Sequence, residues 1–398
     1  MKVMVKTMGD KAFLKEYCSG CGLCKGMAGM ELTKENGFLY PENIPDDRVE
    51  WLSEVCPFAN VRSIGVSDNV WGDYQSLQIG YSANPEVRQK ASSGGVTTTV
   101  ACYLLDQGIV DGVIHVGQDA AEPWNTRLFC SETADQVRLR MGSRYAQSSP
   151  LSKMGEFLET GKKFAFIGKP CDVRALRNFQ NVNRQAAEQI VIALSFFCAG
   201  MPSETANLKL LNAFGMKRED CVSLQYRGNG WPGSACAVDR EGNSQSMSYS
   251  DSWGKILGRD IKTCCKFCMD GIGEFADIAC ADAWYLKDDY PDFSEGEGRN
   301  LIFARTKLGQ EILEQVISAG LVEIQENAVD PAQVRLMQPT QYNRKATMAA
   351  KFAAMRLMGR SVPGYSLRAL SKYSKDTKLM RKLEIFAGTA KRILQKRI

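Results

Sequence analysis

Residues 18–24 read CSGCGLC. Three cysteines at C-x2-C-x2-C spacing aim successive thiolates at one centre, as in bacterial ferredoxins. A zinc site more often uses two C-x2-C pairs or histidine, and this chain has one histidine. In the two-cluster ferredoxin pattern a further cysteine follows and serves the other cluster. Here that position is Ala28, so the segment builds a single cluster. Its fourth thiolate is expected from a more distant Cys-Pro pair, and EVCPFA supplies Cys56 followed by Pro57. Cys18, Cys21, Cys24 and Cys56 are therefore expected to hold one 4Fe-4S cube, with zinc as the rival reading.

A second group is more scattered. Cys171 follows the apolar run KFAFIG, and Cys198 ends IVIALSFFC. If those runs are neighbouring parallel strands, both thiols emerge at the carboxyl edge of the sheet, where open α/β sheets place their ligands. TCCKFC adds Cys265 and Cys268 as a C-x2-C pair. Cys264 is left over, because adjacent cysteine side chains diverge. The plain alternative is that Cys171 and Cys198 are small buried hydrophobes. Cys102, Cys130, Cys221, Cys236 and Cys280 have no partner spacing and read as core or inert surface residues.

Two further stretches suit an anion or a ring. ASSGGVTTTV places Ser92, Ser93, Gly94 and Gly95 at a helix start, where free N–H groups and the helix dipole favour phosphate. The same serines serve equally as ordinary helix caps. RMGSRYAQSS sets Arg140, Ser143, Arg144 and Tyr145 around a Gly-Ser turn, a combination able to grip a pyrophosphate and stack on a ring. Neither is the G-x-G-x-x-G fingerprint of a dinucleotide site. His115 lies in the apolar run GIVDGVIHVG and reads as a structural residue of a strand.

The elements that position these groups alternate. KFAFIG, the turn KPCDV, the helix RALRNF and the strand IVIALSFF form a parallel βαβ unit, since parallel strands need a crossover. The helix VTTTVACYLLD leads into the strand VDGVIHVG, and residues 221–260 read as antiparallel or irregular. The expected class is mixed α/β, in four parts. Residues 1–75 form a ferredoxin-like iron–sulfur segment, and residues 76–160 the first half of a central core whose anion and ring candidates would suit a flavin-binding domain. Residues 161–335 form its second half with the second cluster, and residues 336–398 a basic helical tail.

Across 398 residues, 44% hydrophobic and 24% charged content fits a soluble globular chain of a few domains. No apolar run reaches the ~20 residues of a membrane span, and the first residues carry both charge signs without the apolar stretch of a signal peptide. A cytoplasmic protein is expected, and 14 cysteines in a reducing compartment point to metal or redox work. From Gln341 onward there are 15 Lys/Arg against two acids, Asp376 and Glu384, so the tail is +13 within a chain of +5. It reads as a solvated helical face, or as a dock for an acidic partner or anionic membrane surface. No aromatic-interleaved basic motif points to nucleic acid.

Seven stretches occur in one order: CSGCGLC with its later CP, ASSGGV, GSRYAQS, GKPCDVRALR, FFCAG with PS, CKFCMDGIGEFADIACADAW, and GRNLIFARTKLGQEIL. Over roughly residues 10–330 the chain thereby resembles the beta-subunit family of coenzyme F-420 hydrogenases and dehydrogenases. That family includes 7-hydroxymethyl chlorophyll a reductase and bacterial homologues from surface-polysaccharide gene clusters. The resemblance implies an iron–sulfur flavoprotein with FAD and two 4Fe-4S clusters, in which flavin joins one-electron to two-electron chemistry. It implies Cys171, Cys198, Cys265 and Cys268 as the second ligand set. It also implies Ser92, Ser93, Gly94, Gly95, Ser143, Arg144 and Tyr145 as the flavin pocket. Asp270, Asp277 and Asp282 follow the second cysteine pair in the family manner, as caps or as site residues. The family often has Lys where this chain has Arg144, which keeps the charge but not the geometry.

The leading expectation is an oxidoreductase that moves a hydride between FAD and a small organic substrate, with a ferredoxin or other one-electron carrier and a setting in surface polysaccharide biosynthesis. The alternative is an electron-transfer subunit of a larger complex using reduced coenzyme F-420. A lesser one is a zinc-stapled interaction protein without enzymatic activity. A homo-oligomer is compatible with each, and no catalytic side chain is assigned.

Overall fold

The computed structural model describes residues 11–61 and 67–395. Its centre is a mixed eight-stranded sheet. The strands are β1 (Ser76–Ser82), β2 (Gly112–Gln118), β3 (Thr126–Ser131), β4 (Phe164–Ile167), β5 (Ile190–Phe196), β6 (Ile278–Asp282), β7 (Asn300–Ala304) and β8 (Val322–Glu326). Their lateral order is β8-β1-β7-β6-β5-β4-β2-β3. The inner strands β6, β5, β4 and β2 are mutually parallel, and antiparallel strands extend the sheet on both sides. The FAFI of β4 and IVIALSF of β5 are near-continuous apolar runs, as strands covered on both faces require. This sheet takes strands from both sides of residue 160.

Five helices matter for the site: α1 (Val96–Asp106), α2 (Pro170–Gln180), α3 (Lys307–Ser318), α4 (Pro339–Leu357) and α5 (Leu379–Leu394). Strand β7 shows the two layers they create. Ile302 and Ala304 join the core made with Val100 and Leu104 of α1 and Leu313 and Val316 of α3. Leu301 and Phe303 face the opposite core, made with Val173, Leu176 and Phe179 of α2. This alternation is the period-two geometry of a strand. The KPCDV stretch, expected as a turn, instead opens α2. Pro170 is its first residue, and the Asp172 carboxylate accepts the Lys169 backbone N–H at 3.1 Å. Proline suits that position because its missing N–H has no helical partner there. Residues 221–247 form the expected antiparallel region, a three-stranded sheet.

The basic tail is less of an appendage than its composition suggests. Tyr342 and Ala346 of α4 join the core beneath the sheet, and Met348, Phe352 and Met355 join a second core with Phe13, Tyr17 and Phe267. The Lys345 ammonium, 3% exposed, pairs with Glu274 at 2.6 Å. No helix among the described residues is long and apolar enough to cross a membrane.

His115 occupies the place expected of a structural residue. It is buried on β2, and its Nε2 lies 2.8 Å from the Ser131 hydroxyl of β3. Burial, with the nearby Arg140 charge, pushes its pKa down to about 4. Between that value and the ordinary ~6.5 of an unfolded histidine, the unfolded chain binds a proton that the native chain refuses. This residue therefore removes stability as pH falls through that window, up to roughly 3 kcal/mol. Melting temperature measured from pH 7 to 5 should fall, and His115→Gln should flatten the decline. An unchanged slope in that variant would remove His115 as its source.

Candidate redox site

The first cysteine group folds around a small apolar cavity lined by Cys18, Cys21, Cys24 and Cys56 together with Phe13, Tyr17, Leu52 and Phe58. Cys24 lies on a short helix, Leu23–Ala28, and Cys56 caps the end of the helix Val49–Val55. The loop between Cys21 and Cys24 turns at Gly22, with φ +84°, where an added Cβ would lie 2.8 Å from Ser149. Only glycine suits that place on both counts. The segment is stitched to residues 149–151 by the Ser149 hydroxyl donating to Gly20 O at 2.8 Å and Leu151 N–H donating to Cys21 O at 2.9 Å.

The second group also converges. Cys171 comes from the first turn of α2, and Cys198 follows β5 beyond the same edge of the sheet. Cys265 sits in the helix Thr263–Lys266, with Cys268 just beyond it. All four line one cavity, and Cys264 and Asp270 join them. Cys264 donates to the Cys18 carbonyl oxygen at 3.3 Å, so the unassigned cysteine lies between the two groups. A hydrogen bond with Cys264 pulls the Cys265 thiol down. Asp277 is structural: it accepts from Arg177 at 2.6 Å, from Ala193 N–H at 2.7 Å and from the Thr306 hydroxyl at 2.8 Å.

The donor sets fit iron–sulfur cubes. Burial pushes the Cys21 thiol up to about 12 and Cys198 up to about 11, and carries Cys56 and Cys171 well above the ordinary thiol range. Binding metal replaces those protons. Backbone amides face sulfur in both cavities, Gly20 N–H to Cys18 Sγ at 3.3 Å and Met201 N–H to Cys265 Sγ at 3.4 Å. Such hydrogen bonds tune a thiolate-bound cluster. Lys262 is fully buried beside the cysteines, donates to the Leu39 carbonyl and stands 4.0 Å over the Tyr40 ring. Among the described residues it has no carboxylate partner, and a buried cation of this kind calls for a nearby anion. Among the same residues, no three His, Cys, Asp or Glu side chains gather tightly enough for one metal ion.

A third cavity, of about 340 Å³, opens at the carboxyl edge of the parallel strands, within the usual size of a cofactor or ligand site. Ser92, Ser93, Gly95, Ser143, Arg144 and Tyr145 line it. Gly94 does not: a Cβ there would meet Asn300 Oδ1 at 2.8 Å, so this glycine serves close packing of the α1 entry against β7. Ser93 donates to Arg299 O at 3.0 Å, and Ser92 accepts from Ser143 N–H. The Arg144 guanidinium donates to the carbonyls of Leu224 at 2.6 Å, Pro123 at 2.5 Å and Asn125 at 2.7 Å, which ties loops together, while its Nε is buried without a partner among the described residues. Arg140 is likewise engaged, donating to Gln136 O at 2.6 Å while its guanidinium stands 4.2 Å over the Phe129 ring.

The aromatic wall residues carry no sequence signal of their own. Tyr249, Trp253, Trp284 and Phe293 provide an aromatic side. Asp282 takes a bidentate pair from Arg227 at 2.9 and 3.0 Å, and Trp231 Nε1 donates to it at 2.7 Å. Lys169 bridges to Asp172 at 2.6 Å and to Ser148 at 2.7 Å. Burial opposes the Lys169 charge, but Asp172 and the nearby thiols outweigh it and hold its pKa above the ordinary lysine value. Asp172 Oδ1 is buried without a hydrogen-bond partner among the described residues. The GKPCD stretch could have marked Lys169; the aromatic side arrives from segments far apart in the chain. The cavity's helix entry, aromatic wall and buried polar atoms fit a flavin.

The three cavities share walls. Ser19 and Phe58 belong to both cysteine cavities. Lys169, Cys198, Gly200 and Met201 belong to both the second cysteine cavity and the large one.

Against the subunit beta of coenzyme F420 hydrogenase from Methanothermobacter thermautotrophicus, the chain is 21% identical over 301 residues, 74% of this chain and 99% of the relative. Against the chloroplastic 7-hydroxymethyl chlorophyll a reductase of Oryza sativa, it is 23% identical over 312 residues, 78% of this chain and 62% of the relative. A chain of the F420-reducing [NiFe] hydrogenase complex from Methanosarcina barkeri shares the fold, with a TM-score of 0.58 at 19% identity over 76% of this chain and 100% of that one. Residues 78–155 match the model for the N-terminal part of the coenzyme F420 hydrogenase/dehydrogenase beta subunit, and residues 161–330 match the model for its C-terminal part. The chain belongs to the coenzyme F420 hydrogenase/dehydrogenase beta-subunit family.

Proposed function

We propose that this chain is an electron-transfer subunit of a larger redox assembly, with a flavin in the large cavity and an iron–sulfur cube at each cysteine cavity. Its two-electron partner is a coenzyme of the deazaflavin type. The observation that supports this reading is the row of three cavities with shared walls. A flavin held there would supply the chemistry that joins two-electron hydride exchange to one-electron transfer. The chain's own residues arrange the transfer. Cys198 and Lys169 stand in the wall between the large cavity and the second cysteine cavity. Phe58 and Ser19 form the corresponding wall between the cysteine cavities. Apolar side chains such as Phe13, Leu52 and Phe267 keep water from the thiols. The buried Lys262 and the half-buried Arg344 offset negative charge there, Arg344 being held by the carbonyls of Cys198 at 3.2 Å and Ala199 at 2.5 Å.

The relatives named as hydrogenase components favour a subunit over a free-standing enzyme. The match to the plant reductase favours the second reading, a self-sufficient reductase supplied by a ferredoxin-like carrier. Size-exclusion behaviour separates them: turnover by a lone monomer or homo-oligomer supports the second.

Anaerobic purification followed by iron, sulfide and flavin assay tests the cofactors. About eight irons are expected for two cubes, with one FAD. Zinc without colour or flavin would overturn the reading. Cys21→Ser should remove about four irons while flavin is retained; unchanged iron would refute the first ligand set. Cys268→Ser should lower both iron and the rate at which an artificial one-electron donor reduces flavin in a single turnover. A normal rate in that variant would exclude the second cube from the route.

A further inference from the structure

The helix α5 has two apolar faces. One holds Ile385, Phe386, Thr389 and Ile393, half-buried or buried, with Ile393 packed on the core that includes Phe352 of α4. The other is uncovered. Leu379, Met380, Leu383 and Leu394 are 70%, 68%, 54% and 73% exposed. With 3.6 residues per turn, these four fall with Ala387 in one arc about 100° wide, the width of an amphipathic stripe. On one side the stripe is followed by Lys391, Glu384, Arg381 and Arg392, all exposed, and on the other it meets the packed face at Phe386. Glu384, paired with Arg381 at 2.9 Å, is the only acid on the helix.

Three occupants compete for such a face. A second copy would bring the same basic helix against this one, and like charges oppose that contact. A stable protein interface buries ~800 Å² per partner around aromatic or arginine anchors, whereas this stripe is one helix wide and its exposed members are aliphatic. An aliphatic stripe bordered by Lys and Arg is the pattern of a helix lying in the headgroup layer of an anionic bilayer. The surrounding charge agrees: from Gln341 onward the chain has 15 Lys/Arg against two Asp/Glu, and the remainder is −8. We propose that the outer face of α5 seats the protein on an anionic lipid surface, peripherally and reversibly.

Flotation of the full chain with vesicles tests this. At low salt it should float with vesicles of phosphatidylcholine mixed with phosphatidylglycerol, but not with phosphatidylcholine alone. High salt, which shortens the screening length from ~10 Å at 0.1 M to ~3 Å at 1 M, should release it. Leu383→Ser combined with Leu394→Ser should lower binding more than tenfold. Arg381→Gln combined with Lys391→Gln should lower it on the order of thirtyfold. Circular dichroism and iron content should stay at wild-type values, because these side chains leave the packed face intact. No flotation with either vesicle, equal flotation with both, or wild-type binding by the leucine variant would overturn the proposal. So would a concentration-dependent dimer abolished by Leu383→Ser, which would assign the face to a second copy.

Discussion

Strands β4 and β5 run side by side in the same direction, Ala165 opposite Ile192 and Phe166 opposite Ala193, and the redox site takes its geometry from that pairing. Parallel strands end at a common edge. The chain leaves β4 through Lys169 and Cys171 and leaves β5 through Phe197 and Cys198. An antiparallel pairing would send those cysteines to opposite ends of the sheet. Antiparallel β7 and β1 can then extend the sheet without disturbing the edge where the cavities open.

Charge in the cavity walls is held in two ways. Lys169 with Asp172 and Arg227 with Asp282 form ion pairs. Such pairs hold geometry more than they add stability, since desolvation offsets much of their attraction. Around the cysteines, Lys262 and Arg344 contact carbonyl oxygens instead. Their full charge remains available to an anionic group.

How much of this could be read in the sequence depended on distance along the chain. Cys18, Cys21 and Cys24 are legible because their geometry is local, and the proline after Cys56 marks a partner only some thirty residues away. Cys171 and Cys198 needed the strand topology, which the alternating apolar runs supplied. The three backbone carbonyls that Arg144 holds were not legible, because a cation beside a Gly-Ser turn looks the same whatever oxygens it meets. Trp253, Trp284 and Lys262 converge on their cavities only through long-range packing. In the tail, abundant Lys and Arg masked the apolar positions 342, 346, 348, 352 and 355 that bury α4.

Ser19 and Phe58 belong to the N-terminal segment, yet they close one side of the cavity formed by Cys171, Cys198, Cys265 and Cys268. The segment that holds the first cysteine group is thus also a cover for the second. Loosening it, by cleavage near Cys24 or by loss of the Ser149 and Leu151 stitches, would admit solvent and oxygen to a site more than a hundred residues away in sequence. The two cysteine groups therefore share a wall, and the N-terminal segment encloses both.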